Sequence, residues 1–460
     1  MHPHRHRPLQ AAPTAPQPAR LAALLAGMVL AGPAAAVDYG PLSLNGFAKI
    51  EAVRASNVCG GCQRFPEENR QRPWADEVVP GRAYGTDDSV LTLAQPYVGL
   101  KFDLPQGYKI AALFSQRWRD GKVDLPGFWY ERNLALSHED YGTLTVGAFP
   151  TRAWAFADYP FGSDFAGSDT WASSGAGYGL NTHAVRYTAR TLDVYDGDLV
   201  LEATYDQGDT DFKVNKPRFL ELWSRYHKGD FKLDLMFQDT RNGGPNSWGH
   251  APFAGITFQE EYDKKVGGSG QSMAMAQLRY QLNPSIELGA GVRFNRWSGA
   301  YAVCVDFVDG SCRWNNFFNV DFGGRDASGV EHPGYKARST DYTVGARYLM
   351  GPWSFNAGAV YLSTAKTDNP SERGQSNSLL KLSLGGGYDF KNGLVAYASA
   401  SVYRYGQKPV SYGCDVPLDS RPAGSCTLGP LSAPSTNWGG ADPRVSRSSN
   451  SVTVGATYSF

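Results

Sequence analysis

The sequence predicts an all-β fold: a transmembrane antiparallel β-barrel of about sixteen strands, with short turns at one end and long loops at the other. Three observations carry the prediction. Apolar side chains recur at every second residue, not every third or fourth. Short and long joins alternate along the chain. The chain also opens on a basic and then apolar leader of the kind that marks export.

The leader comes first. Arg5, Arg7 and Arg20 precede the apolar run Leu21 to Leu30, and Ala34, Ala35 and Ala36 supply small residues before Val37. Residues 1–36 therefore read as a cleaved signal peptide and 37–460 as one barrel domain. Cleavage removes three of 44 basic residues and none of 44 acidic ones, for a mature net charge of −3. That balance speaks against a nucleic-acid binder, which would be basic. No later stretch approaches the ~20 consecutive apolar residues of a membrane helix. Mean hydropathy is −0.38, yet 13% of residues are aromatic and 52 are Gly. A barrel reconciles these values, because only alternate strand residues are apolar and the rest serve girdles, lumen and turns.

The first strand reads from Leu42 to Ser56, with Leu42, Leu44, Ala48, Ile50 and Ala52 opposing Asn45, Lys49 and Glu51. A long polar join (Asn57 to Asp88) and a strand (Ser89 to Leu104) follow, and then the short turn Pro105-Gln106-Gly107. Further short turns fall at Glu139 to Gly142, Leu192 to Gly197, Lys228 to Asp230, Asn283-Pro284, Gly351-Pro352 and Lys391 to Gly393. The longest joins are Asn57 to Asp88, Ala155 to Asn181, Asn242 to Gly270, Gly299 to Ala337 and Lys408 to Ser449. Outer-membrane barrels confine long loops to the external side, and a soluble sandwich has no reason to do so. The last strand alternates Val452, Val454, Ala456, Tyr458 and Phe460 with Ser451, Thr453, Gly455, Thr457 and Ser459. Two strands alternate poorly: Glu131-Arg132-Asn133 has charges on both parities, and Val395 to Ser401 is small on both.

Arg186, Arg225, Arg279, Arg293 and Arg347 fall on the polar parity of their strands. A charge at the lipid midplane costs ~2–4 kcal/mol, so these five are candidate pore-wall residues. The six cysteines form three local pairs in the long joins, Cys59 with Cys62, Cys304 with Cys312, and Cys414 with Cys426. An exported chain meets an oxidising compartment, so three loop disulfides are expected on proximity. Gln63 stands where covalent haem attachment requires His, and no strand-then-helix context makes the glycine cluster Gly175 to Gly179 a phosphate cradle. No nucleophile elbow or metal-binding His pair is visible. We therefore expect no enzyme activity, cofactor or metal.

Arg132 to Gly147 (RNLALSHEDYGTLTVG) and Val452 to Phe460 carry a resemblance. The chain resembles the Gram-negative general porins of the beta-proteobacterial and neisserial type. The resemblance implies a sixteen-stranded homotrimer in the outer membrane, with a water-filled pore in each subunit and an inward-folded third external loop. It identifies Tyr458 and Phe460 with the terminal signal read by the barrel-assembly machinery. The third loop here is Ala155 to Asn181, with Asp158, Asp164, Asp169, Tyr159 and Trp171 as constriction residues, accompanied by Phe156, Phe161 and Phe165. Where the family often places Arg after the V-G of the fifth strand, this chain has Ala148, and Arg152 would replace it if the strand bulges. The expected function is passive diffusion of ions and small hydrophilic solutes. The alternatives are a substrate-selective channel of the same fold and a closed barrel acting as enzyme or adhesin. Expected partners are outer-membrane lipid, lipopolysaccharide and the solutes.

Overall fold

The computed structural model describes residues 37–56, 86–119, 121–123, 129–155, 161, 180–208, 218–241, 243–246, 251–255, 269–299, 303–308, 311–315, 324–325, 331–332, 336–363, 366–367, 379–405 and 448–460. Sixteen antiparallel strands close on themselves. In chain order they are β1 (Leu42–Ser56), β2 (Thr86–Asp103), β3 (Lys109–Ser115), β4 (Glu131–His138), β5 (Gly142–Pro150), β6 (Leu180–Thr188), β7 (Gly197–Asp206) and β8 (Arg218–Lys228). They continue with β9 (Phe231–Arg241), β10 (Ser269–Asn283), β11 (Ile286–Gly299), β12 (Ala337–Met350), β13 (Trp353–Leu362), β14 (Leu379–Asp389), β15 (Leu394–Tyr405) and β16 (Ser448–Ser459). Each pairs with its chain neighbour, and β16 returns to pair with β1 from Phe47↔Ser459 to Ser56↔Asn450. Closure leaves none of these sixteen strands as an edge with unpaired N–H and C=O groups. The last residue completes the seam: the Gly46 amide donates to the Phe460 carbonyl at 2.9 Å, and the Phe460 amide donates to the Gly46 carbonyl at 3.0 Å.

Short joins collect at the end of the barrel that also holds this seam. Several are tight because residues there adopt the left-handed region, as at Tyr195 (φ 51°) and Asp196 (φ 57°) between Val194 and β7. Consecutive positive φ values make the mirror-image turn whose twist suits an antiparallel hairpin.

The distribution of side chains is inside out relative to a soluble domain. Outward positions are apolar and exposed, as at Leu384 (65%) and Val344 (57%), whereas Arg293 (0%), Glu221 (1%) and Asp234 (3%) are buried on the inward parity. On β16, Val452 and Val454 are exposed while Ser451 and Thr453 are buried. Towards the seam, Ala456 and Tyr458 instead join Ile50 and Leu394 in a buried apolar cluster.

The two poorly alternating strands have structural reasons. Glu131 points inward, where its carboxylate accepts from the Gln95 side-chain amide at 3.1 Å. Arg132 lies at the outer rim above Leu134 and Leu136 and donates to the Trp129 carbonyl. On β15, Tyr397 points inward and its hydroxyl donates to Glu51 at 2.9 Å.

Candidate functional site

The lumen wall from β5 to β12 carries three groups of charged residues, and the strand register decides which of them meet. Gly147 begins the arrangement. Its φ of +126° and the 2.3 Å that would separate an added Cβ from the Arg132 carbonyl oxygen exclude any other residue. At this point the β5–β6 register shifts between Gly147 and Phe149, which is a bulge. The bulge leads into a short helix, Arg152–Ala155, which brings Arg152 into contact with the wall acids. Arg152 Nε donates to Glu202 Oε1 at 2.6 Å, and a second guanidinium nitrogen engages the other carboxylate oxygen. Its backbone amide donates to Glu221 at 2.9 Å.

Arg186 on β6 lies between the same two acids, 3.1 Å from Glu202 and 3.5 Å from Glu221. It also donates to the Thr204 hydroxyl at 2.9 Å and stacks on Phe149. This cluster of two arginines and two glutamates is electrically balanced. Trp223 joins it to the next cluster, with the Arg152 and Arg225 guanidinium carbons 4.8 and 4.9 Å from its ring centroid.

The second cluster holds more cations than acids among the described residues. Arg225 Nε donates to Asp234 at 2.7 Å. Arg279 Nε donates to Glu287 Oε1 at 2.7 Å, and Arg347 engages the other oxygen of the same carboxylate. Lys232 sits directly opposite Arg279 in the β9–β10 register and makes no ion pair among the described residues. Among the described residues four cations thus face two carboxylates. The acids lie behind the cations: side-chain exposure is 31% for Arg225 and Arg279 against 4% for Asp234 and 5% for Glu287. The guanidinium groups are therefore the more exposed part of this cluster. A third group is wholly buried, with Arg293 donating to Asp341 at 2.8 Å and Asn295 donating to the same oxygen at 2.7 Å.

One described residue of the Ala155 to Asn181 segment reaches across the lumen. Phe161 is 6% exposed and lies against Gly345 on β12, where an added Cβ would come within 2.9 Å of the ring. The Arg347 guanidinium lies 5.3 Å from its centroid. Phe161 thus rests on the wall formed by β12, opposite the β5 and β6 strands that flank the segment.

All five sequence-predicted arginines stand on the inward parity, distributed over the three groups above. Asp158, Tyr159, Asp164, Asp169 and Trp171 lie outside the described residues, as do Cys59, Cys62, Cys414 and Cys426. Cys304 and Cys312 fall on adjacent strands of a small ladder within a long join, with Cys304 opposite Trp314 and Cys312 opposite Phe307. Tyr458 belongs to the seam cluster, and Phe460 packs against it. Sequence reasoning placed Lys232, Asp234 and Glu287 on the polar faces of their strands without naming them as site residues, and did not single out Glu202, Glu221, Asp341 or Trp223. Parity was available as a signal, since each shares a face with an arginine of its own or the adjoining strand.

No family model matches the chain, and no curated protein matches its sequence. Solved structures do match over nearly the full length. An anion-selective porin from Comamonas acidovorans is 11% identical with a TM-score of 0.52, covering 91% of this chain and 99% of that one. OmpT, an outer membrane protein of Vibrio cholerae folded in vitro and in trimer form, is 12% identical with a TM-score of 0.53, covering 92% and 100%. The outer-membrane expressed OmpT of Vibrio cholerae is 10% identical with a TM-score of 0.51, covering 93% and 100%. At such identities the likeness is one of fold, and the fold is the sixteen-stranded porin barrel.

Proposed function

We propose that this barrel is a passive diffusion channel of the Gram-negative outer membrane, passing ions and small hydrophilic solutes through a water-filled lumen narrowed by residues 155–181. The observation that carries the reading is the inside-out distribution of side chains around a closed barrel, apolar outside and charged within. Charged groups of this density on an inner wall need water or counter-charge, and a lumen supplies water. The reading is that of a channel without enzymatic activity, in keeping with the porin that shares its fold.

Arg186, Arg225, Arg279, Arg293 and Arg347 form the pore wall in this proposal. Asp158, Asp164 and Asp169, with Tyr159 and Trp171, face them from the constriction segment and set up a transverse field that orients polar solutes. The Phe161 contact supports an inward segment. The excess of wall cations around Lys232 favours anions, a preference in keeping with the anion selectivity named for the Comamonas barrel. Cleavage after residue 36 leaves 37–460 as a single domain, Tyr458 and Phe460 act as the assembly signal, and the cysteines pair within their loops. The trimer form of the Vibrio barrel supports a homotrimer.

Single-channel current in a planar bilayer under a salt gradient tests the reading. Conductance closing in threes and an anion-favouring reversal potential are expected. Replacing Asp158, Asp164 and Asp169 together by Asn shifts the reversal potential further towards anions. Silence from demonstrably folded protein overturns the channel reading.

A further inference from the structure

The outer surface carries a second organised charge. Arg296 on β11 pairs directly with Arg338 on β12, and Arg338 pairs directly with Lys366 in the short strand Lys366–Thr367. All three are exposed, and they share the outward parity of Phe294 and Tyr342. Directly opposed residues place their Cβ atoms ~5 Å apart, and like charges there weaken a sheet. No hydrogen bond or ion pair relieves them among the described residues. Another outward pair of opposed arginines, Arg218 and Arg241, is built differently, because Arg241 donates to Asp239 at 3.0 Å.

The row stands at the long-join end of the barrel, above the apolar belt. Below it, on the same outer face, is an apolar groove of about 930 Å³. Its floor is Ala290, Ala346, Ala357 and Ala359, and its walls include Leu288 and Leu384. The floor is low because two adjacent cross-strand rows place alanine where neighbouring strands place leucine: Leu288↔Ala346↔Ala357↔Leu384 and Ala290↔Val344↔Ala359↔Leu382. From Val344 to Arg338 the strand rises ~20 Å at ~3.4 Å per residue. A cationic row and an apolar groove on one face, separated by that span, match one amphiphile with an anionic head and long acyl chains.

We propose that Arg296, Arg338 and Lys366 bind the phosphates of a multiply acylated lipid whose chains lie in the Ala346 groove. Guanidinium and ammonium groups together recognise phosphate, by planar pairing and as a point charge. The site rests on the membrane-embedded reading above, but not on conduction.

Native mass spectrometry of the folded full chain in non-ionic detergent, titrated with lipid A at low ionic strength, provides the test. Wild type retains the lipid. R296Q/R338Q/K366Q loses on the order of 100-fold in affinity, three cations each attracting an anionic lipid surface, and dephosphorylated lipid A binds wild type as weakly. A346F/A357F, which fills the groove and keeps the row, also weakens retention. Undiminished binding by the triple variant, or equal retention of the dephosphorylated lipid, overturns the proposal. Inorganic phosphate displacing lipid A at equal concentration reduces the site to a simple anion site and overturns the lipid assignment. Wild-type conductance in the triple variant confirms that it is folded. A silent wild type that still retains lipid defeats the channel reading alone.

Discussion

Replacing Glu287 by Gln isolates the electrostatics of the lumen. Glu287 is engaged by both Arg279 and Arg347, and Lys232 stands opposite Arg279. Gln preserves volume and an acceptor oxygen, so the variant removes a charge with little change in packing. Among the described residues, four cations then face one carboxylate, Asp234. For an ion passing ~8 Å away in water, one unit charge is worth ~0.5 kcal/mol, which screening at 0.1 M salt reduces to about half. Anions gain this amount and cations lose it. The anion-to-cation permeability ratio should therefore rise about twofold at 0.1 M salt and about fourfold at 0.01 M. The assay is the reversal potential of single channels under a salt gradient at both ionic strengths, with folding verified by the gel mobility of unboiled protein. An unchanged ratio at low salt, or a shift towards cations, would mean that this cluster does not face the conduction path.

Three further predictions concern the segment, the belt and the seam. Phe161→Ala removes a buried ring worth ~1.5–3 kcal/mol together with its contact to Arg347, so conductance and current noise should both rise; unaltered single-channel traces would show that Phe161 does not hold the segment in place. Val344→Arg places a charge on the exposed outer belt at a cost of ~2–4 kcal/mol, whereas Val344→Leu is neutral; equal urea midpoints for the two in lipid vesicles would refute an outward, lipid-facing β12. Deleting Phe460 takes away both backbone bonds to Gly46 and the ring packed on the seam cluster, so the folded yield in cell envelopes should fall several-fold. Wild-type yield would remove the seam from the account of assembly.

Strand number, joins and facing are local properties, and the residues themselves dictate them. The alternation of Val452 to Phe460 settles which side chains of β16 share a face, and the same parity put Arg186, Arg225, Arg279, Arg293 and Arg347 on the inward face before any strand was paired. Turn residues such as Lys391-Asn392-Gly393 mark where strands end, and the lengths of the joins separate the two ends of the barrel. Parity, however, belongs to one strand, whereas partnership belongs to two. That Arg279 and Arg347 share Glu287, while Lys232 meets Arg279 instead of an acid, follows from the β9 to β12 register, which closure of the whole barrel sets. The bulge at Gly147 that frees Arg152 to reach Glu202 is likewise a mismatch between β5 and β6. Phe161 against Gly345 joins residues far apart in the chain across a lumen. No period or motif specifies that contact, because a glycine becomes a receptacle for a ring only once curvature has brought its strand to face the segment.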